Sequence, residues 1–98
     1  MKQPIKYTHQ FLKEWEQVQR SDLAGSVKEL VLLVEHNPFQ TPPPYEKLKG
    51  YKNVYSRRIN RQHRLVYIVR NEQIVFLRCW GALQIIDRVA CFLEHYFR

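Results

Sequence analysis

The sequence has 98 residues, of which 45% are apolar and 13% aromatic, and its net charge is +7. This length allows one globular domain, and the composition is not that of a disordered chain. No apolar run approaches the roughly 20 residues that cross a bilayer, and the first ten residues lack the apolar core of a secretory signal. We therefore expect a cytoplasmic protein with no membrane partner. Cys79 and Cys91 lack CxxC spacing, which favours buried thiols over a disulfide or a metal site.

The positive charge is concentrated in the second half of the chain. Residues 1–46 carry five basic and six acidic side chains, whereas residues 47–98 carry eleven basic and three acidic ones. Between Lys47 and Arg70 there are eight basic residues and no acidic residue, and Tyr51, Tyr55 and Tyr67 lie among them. This pattern is typical of RNA-binding surfaces, because cations neutralise phosphates and aromatic rings stack on bases. The alternative is a solvated basic face that serves solubility.

The first half of the chain predicts a short edge strand over residues 2–8 and two helices. The apolar stripes are Phe11, Leu12, Trp15 and Val18 in the first helix and Leu23, Val27, Leu30, Val31 and Val34 in the second. The second helix is expected to begin near Ser21 or Ser26, because Ser26 and Glu29 have the spacing of a capping box. It is expected to end at Asn37, which precedes a proline. Because each of the two helices has one apolar face, we expect a sheet on which both faces pack.

The second half predicts that sheet. Residues 37–45 hold four of the five prolines and are expected to form an extended loop. Short connections then predict an antiparallel meander of three strands, at about 54–60, 63–70 and 74–80. The period changes again over 83–97, where one apolar face predicts a helix that packs on the sheet or on another subunit of a homodimer. We expect a single α+β domain over residues 1–98, with helices on a small, mostly antiparallel sheet and 83–98 as a C-terminal helical extension.

Glu46 stands alone among basic residues, and arginines follow it on two predicted strands. No nucleophile elbow, glycine-rich phosphate loop or zinc-ligand spacing occurs in the sequence. A carboxylate beside guanidinium groups suits RNA cleavage by the 2′-hydroxyl. The carboxylate accepts the hydroxyl proton, and the guanidinium groups stabilise the charge that develops on the phosphate. The alternative for Glu46 is an ordinary surface ion pair.

Four motifs carry a resemblance to a known family: NPF at 37–39, EKLKG at 46–50, YSRRIN at 55–60 and HRLVY at 63–67. In this order and spacing they resemble the Txe/YoeB branch of the RelE toxin superfamily, from Lys2 to about Trp80. The resemblance implies a RelE-like fold and a type II toxin that cleaves mRNA on the ribosome without metal or cofactor. It also implies three partners, namely an antitoxin protein, the ribosome and mRNA.

The resemblance assigns roles to individual residues. Glu46 falls on the general base of the family, and Arg58 and Arg64 fall on its phosphate-binding arginines. The residues expected to hold RNA are Lys47, Lys49, Arg57 and Tyr96. For Arg58 and Arg64 the alternative is a structural role, since a buried ion pair between Arg64 and Glu46 would also explain the pattern.

The chain departs from the family pattern after Gly81. The family places a His–Tyr pair there, with the histidine as general acid, whereas this chain has Ala82 and Leu83. A His–Tyr pair follows only at His95 and Tyr96. Either the extension returns this pair to the site, with His95 as the acid, or the pair is a coincidence.

These alternatives give two hypotheses. The first is a ribosome-dependent endoribonuclease toxin, and the second is a RelE-fold protein that binds RNA or the ribosome but has lost cleavage. His63 is a substitute acid by position, although its strand face favours a packed role. A DNA-binding protein is a weaker third reading, because the basic block falls on strands and no helix-turn-helix is evident.

Overall fold

The computed structural model describes residues 4–70 and 72–81. Its elements, in chain order, are β1 (Ile5–Tyr7), α1 (His9–Gln19), α2 (Ala24–His36), β2 (Tyr45–Lys47), β3 (Val54–Arg58), β4 (Arg64–Arg70) and β5 (Gln73–Arg78). The C-terminal helix expected over 83–97 lies outside the described residues, as do His95 and Tyr96. None of the described helices is long and apolar enough to cross a membrane.

The strands form one sheet in the order β1-β5-β4-β3-β2. The meander β3-β4-β5 is antiparallel, as its short connections predict, and β2 extends it antiparallel to β3. β1 is an edge strand, as expected, and pairs parallel to β5. The expectation of helices on a small, mostly antiparallel sheet is therefore confirmed.

The two helices pack on one face of this sheet. The main core consists of Phe11, Val18, Val27, Val34, Leu65, Tyr67, Ile74, Phe76 and Cys79, all of them buried. A second, smaller apolar cluster contains Leu48, Val54, Val66, Ile68, Val75 and Leu77. Because successive side chains of a strand point to opposite faces, the alternating membership of β3, β4 and β5 places this cluster on the face away from the helices. Both faces of the central strands are thus covered.

Three local features differ from the sequence-based expectations. The residue that precedes α2 is Leu23, which makes no side-chain cap, so Ser26 lies within the first turn instead of capping it. The hydroxyl group of Ser21 accepts a hydrogen bond from the Leu23 amide at 3.1 Å before the helix begins. The expected loop over 37–45 ends in the short strand β2, whose residues include Glu46.

Cys79 is buried in the main core, as its sequence context suggests. Burial, reinforced by the nearby Glu14 carboxylate, raises the pKa of this thiol to about 12. The protonated thiol is the form that the fold favours, so its contribution to folding is fully present below pH 9. As the pH rises from there towards 12, this contribution is lost.

We therefore predict that native Cys79 resists alkylation by iodoacetamide at pH 8.5, because the thiolate is the reactive form. In a Cys91→Ser variant, Cys79 is the only thiol of the chain. Mass spectrometry should detect alkylation of this variant in 8 M urea but not in buffer. Equal labelling rates in the two solvents would mean that the thiol is accessible in the folded protein.

Candidate active site

Glu46 and Arg64 lie close together on the face of the sheet away from the helices. Arg64 shares its face of β4 with Val66 and Ile68, which belong to the smaller apolar cluster. Glu46 pairs across the sheet with Ser56 of β3, and Ser56 in turn pairs with Val66. This register brings Arg64 Nη1 to 3.6 Å from Glu46 Oε1. The two residues to which the family resemblance assigns the roles of base and phosphate ligand are thus neighbours.

The exposure of this pair differs between its two members. The side chain of Glu46 is 61% exposed, whereas that of Arg64 is 16% exposed. Their separation exceeds the roughly 3.2 Å limit of a good N–H···O bond, and exposed ion pairs contribute only about 0–1 kcal/mol to stability. The pair therefore does little for the fold. It presents a solvent-accessible carboxylate beside a guanidinium group whose stem is held by the protein.

Arg58 lies directly opposite Arg64, since their Cα atoms are partners in the β3–β4 ladder. Two like charges in this position repel each other unless an anion lies between them. Arg58 is exposed, and it lines a cavity of about 250 Å³ together with Ser26 and Glu29 of α2. Strand alternation places the Arg58 side chain on the same face of the sheet as Arg64, at the edge of the site.

Ser56 is a feature of this site that the sequence reasoning did not single out. It is fully buried, and its hydroxyl oxygen has no hydrogen-bond partner among the residues that the structure describes. Its Cα is the ladder partner of that of Glu46. The only sequence signal for Ser56 was its place in the SRR motif. Strand alternation puts this small polar residue on the same face of β3 as Val54 and Arg58.

Arg57 requires a correction, because its position rules out the expected contact with RNA. The residue is fully buried, on the helix-facing side of β3. Its guanidinium group donates hydrogen bonds to the carbonyl oxygens of Pro38, Gln40 and Pro43 at 3.0, 2.8 and 2.6 Å. Its Nε donates to the Tyr67 hydroxyl at 3.1 Å. Arg57 therefore fastens the proline-rich loop to the sheet by satisfying carbonyl groups of the loop.

The aromatic residues among the basic ones are also more structural than expected. Tyr67 is fully buried, its hydroxyl donates to the Pro38 carbonyl at 2.8 Å, and burial raises its pKa. Tyr55 packs against Tyr67 and Phe39, and Tyr51 packs on the smaller apolar cluster. Lys47 and Lys49 are exposed, in keeping with the expected contact with RNA. In β2, however, Lys47 points to the face opposite Glu46.

His63 is held in place by the protein. Its Nδ1 accepts a hydrogen bond from the Gly81 amide at 2.9 Å, and its ring stacks on Trp80 with 3.8 Å between centroids. Only Nε2 is left to interact with a substrate. Strand alternation places His63 on the helix-facing side, with Leu65 and Tyr67. This arrangement favours the packed role over that of substitute acid.

The described residues offer no obvious metal ligands. Within 4–70 and 72–81, no group of three or more histidine, cysteine, aspartate or glutamate side chains lies close enough to hold a metal ion. The chemistry that this part of the chain offers is that of a carboxylate, a guanidinium group and a hydroxyl group.

Comparisons with known proteins agree with this fold. The chain matches the model of a YoeB-like toxin of bacterial type II toxin–antitoxin systems over residues 7–81. It is 26% identical to the YoeB/ParE toxin from Agrobacterium tumefaciens, with a TM-score of 0.72 over 80% of this chain and 96% of that one. It is 30% identical to a chain of the heterotetrameric YoeB–YefM toxin–antitoxin complex from Staphylococcus aureus, with a TM-score of 0.67 over 82% of this chain and 97% of that one.

A more distant likeness concerns the fold alone. A chain of the Escherichia coli DinJ–YafQ toxin–antitoxin complex is 21% identical, with a TM-score of 0.72 over 83% of this chain and 93% of that one. No curated protein sequence matches the chain.

The arrangement of two helices on a five-stranded mixed sheet is the RelE-like toxin fold. The chain belongs to the YoeB-like toxin family of bacterial type II toxin–antitoxin systems. The resemblance based on the four motifs is thereby confirmed.

Proposed function

We propose that this protein is a ribosome-dependent endoribonuclease toxin that cleaves mRNA by attack of a 2′-hydroxyl group on the adjacent phosphate. The observation that carries the proposal is the 3.6 Å approach of Arg64 to an exposed Glu46 carboxylate. Membership of a family whose toxins are ribonucleases supports it.

In the proposed reaction Glu46 accepts the proton of the 2′-hydroxyl group as the O2′–P bond forms. Arg64 then stabilises the extra negative charge on the pentacoordinate phosphorus, for which its planar fork of donors is suited. Arg58, on the opposite strand, contacts the same or the neighbouring phosphate. The P–O5′ bond breaks, and the leaving 5′-oxygen takes a proton from His95 or from water. No metal or cofactor is required in this scheme.

The basic surface around this site determines the proposed partners. Lys49 holds the RNA backbone, Lys47 contacts it where the RNA passes around the edge strand β2, and Tyr96 contacts the substrate if the terminal pair reaches the site. An acidic antitoxin segment that folds on binding would cover the same surface. A relative that is 30% identical supports this partner, since it was solved in a YoeB–YefM toxin–antitoxin complex. A homodimer is a further proposal, and a YoeB dimer is known from Staphylococcus aureus. Action on ribosomes would place the protein in the cytoplasm.

The second candidate is a RelE-fold protein that binds the ribosome without cutting. The observation that favours it is the sequence after Gly81, where Ala82 and Leu83 cannot transfer a proton. Loss of a general acid typically costs about 10²–10⁴-fold in rate, whereas phosphate binding by arginine would persist.

The test is cleavage of a defined mRNA on purified ribosomes, mapped by primer extension. We expect the unmodified chain to cut within the ribosome-covered message, and we expect Arg64→Ala to abolish cutting. If the chain cosediments with ribosomes but leaves the message intact, the second candidate is correct. If the unmodified chain cuts, a His95→Gln variant identifies the source of the proton for the leaving 5′-oxygen. Full activity in that variant would assign this proton to water.

A further inference from the structure

Three consecutive backbone amides just beyond β5 are bound by side chains instead of by a neighbouring strand. The ladder between β4 and β5 ends at Arg78. The amides of Cys79 and Trp80 donate to Glu14 Oε1 at 2.9 and 3.0 Å. The next amide, that of Gly81, donates to His63 Nδ1 at 2.9 Å. Residues 79–81 are thus held from two sides, by α1 and by the residue that precedes β4.

Glu14 is unusual as a carboxylate that is only 4% exposed. Besides the two amides, it accepts hydrogen bonds from Arg78 Nε and from Gln10 Nε2, both at 2.8 Å, and it forms an ion pair with Arg78. A buried charge persists only when it is paired and fully hydrogen-bonded. The sequence itself indicates that Glu14 is buried, because this residue lies between Phe11 and Val18 on the apolar stripe of α1.

The held segment connects directly to the candidate active site. The carbonyl of Gly81 accepts a hydrogen bond from the Arg64 amide at 3.1 Å. Gly81 has a φ of +112°, a conformation that residues with a side chain adopt only under strain. The backbone position of Arg64, and hence the origin of its guanidinium group, depends on where residues 79–81 lie.

We propose that Glu14 and His63 are positioning residues, which fix residues 79–81 and through the Gly81 carbonyl orient Arg64 towards Glu46. This inference rests on the proposed function, in which Arg64 binds the reacting phosphate. Neither residue touches the substrate in this role. His63 acts as a hydrogen-bond acceptor and as the stacking partner of Trp80, and Glu14 acts from the opposite side through two amides.

Two substitutions of His63 separate positioning from proton transfer. Asparagine places its Oδ1 near the position of Nδ1 and can accept the Gly81 amide, but it cannot transfer a proton. Phenylalanine keeps the stacking on Trp80 and removes the acceptor. A misplacement of about 1 Å at a reacting group costs about 10²-fold in rate. We therefore expect His63→Phe to lower kcat by about 10²-fold with little change in KM, and His63→Asn to restore most of the activity.

Steady-state cleavage on ribosomes at several substrate concentrations gives kcat and KM. The NMR resonance of Arg64 Nε–H gives a second readout that does not depend on cleavage. This resonance should shift in His63→Phe and remain in place in His63→Asn. Gly81→Ala strains the backbone at the residue whose carbonyl accepts from Arg64, so it should shift the Arg64 resonance as well. This second variant keeps the test informative even if His63→Phe does not fold.

Equal loss of activity in both His63 variants, with the Arg64 resonance unmoved, would overturn the inference and make His63 a proton donor. Unchanged kcat and an unmoved resonance in folded His63→Phe would overturn it in favour of a purely structural role. If the unmodified chain does not cleave, the proposed function fails. The Arg64 resonance would still decide whether His63 and Gly81 position this side chain.

Discussion

Replacement of Arg57 by methionine is expected to lower the free energy of unfolding by about 3 kcal/mol. Methionine fills a similar volume, but it cannot donate the hydrogen bonds that three loop carbonyls accept from the guanidinium group. Such a change is a large fraction of the roughly 5–15 kcal/mol that stabilises a domain. Urea unfolding, monitored by circular dichroism, measures this loss of stability directly. In thermal unfolding the midpoint should fall by more than about 12 °C.

The neighbouring residue supplies the control. Arg58→Met removes an identical side chain one position along β3, where the residue is exposed. Its effect on stability should stay within about 0.5 kcal/mol. If the two variants lost similar stability, the loop carbonyls would find other donors and the role assigned to Arg57 would be wrong.

Glu46→Gln is expected to lower the rate of the cleavage step on ribosomes by about 10²–10⁴-fold. Glutamine has the same shape and can still approach Arg64, but its amide oxygen is far too weak a base to accept the 2′-hydroxyl proton. Binding to ribosomes should be unchanged, because it depends on the basic side chains. The measurement is single-turnover cleavage of a bound mRNA at saturating protein.

Stability and charge need separate controls in this experiment. The Glu46–Arg64 pair contributes at most about 1 kcal/mol, so the Glu46→Gln variant should unfold at nearly the same urea concentration. Glu72→Gln changes the net charge equally at an exposed position in the turn between β4 and β5. A rate for Glu46→Gln within threefold of that for Glu72→Gln would remove Glu46 from the proposed mechanism.

The sequence predicts the elements whose patterns are local. Periodicity and prolines identify both helices and the three strands of the meander, because amphipathic spacing survives without knowledge of the partner. β2 was missed, since its three residues (Tyr45–Lys47) have no pattern of their own and become a strand only by pairing with β3. The parallel pairing of β1 with β5 joins opposite ends of the described chain, which no local pattern reports.

The site was predictable to the extent that motifs encode it. The family resemblance selected Glu46 and Arg64, and these two side chains approach to 3.6 Å in the fold. The predictions placed both Arg58, as a phosphate ligand, and Arg57, as an RNA-binding residue, against the substrate, although alternation along a strand sends them to opposite faces. Tyr55 and Ile59, two residues away on either side of Arg57, are bulky and apolar, and this signal marks the inward face. Whether a buried position can take a guanidinium group depends on loop carbonyls that only the fold brings near.

The parallel pairing of β1 with β5 also bears on when the fold can be completed during synthesis. Ile5–Tyr7 leave the ribosome first, yet their partner Ile74–Phe76 emerges after nearly all of the described chain. Contacts between such distant segments form late, because the intervening chain must be ordered or closed beforehand. The amide of Arg64 in turn donates to the carbonyl of Gly81, which lies beyond β5 in the sequence. A nascent chain therefore cannot complete the hydrogen bond that holds the Arg64 backbone until β5, the last strand that the structure describes, has left the exit tunnel together with Gly81.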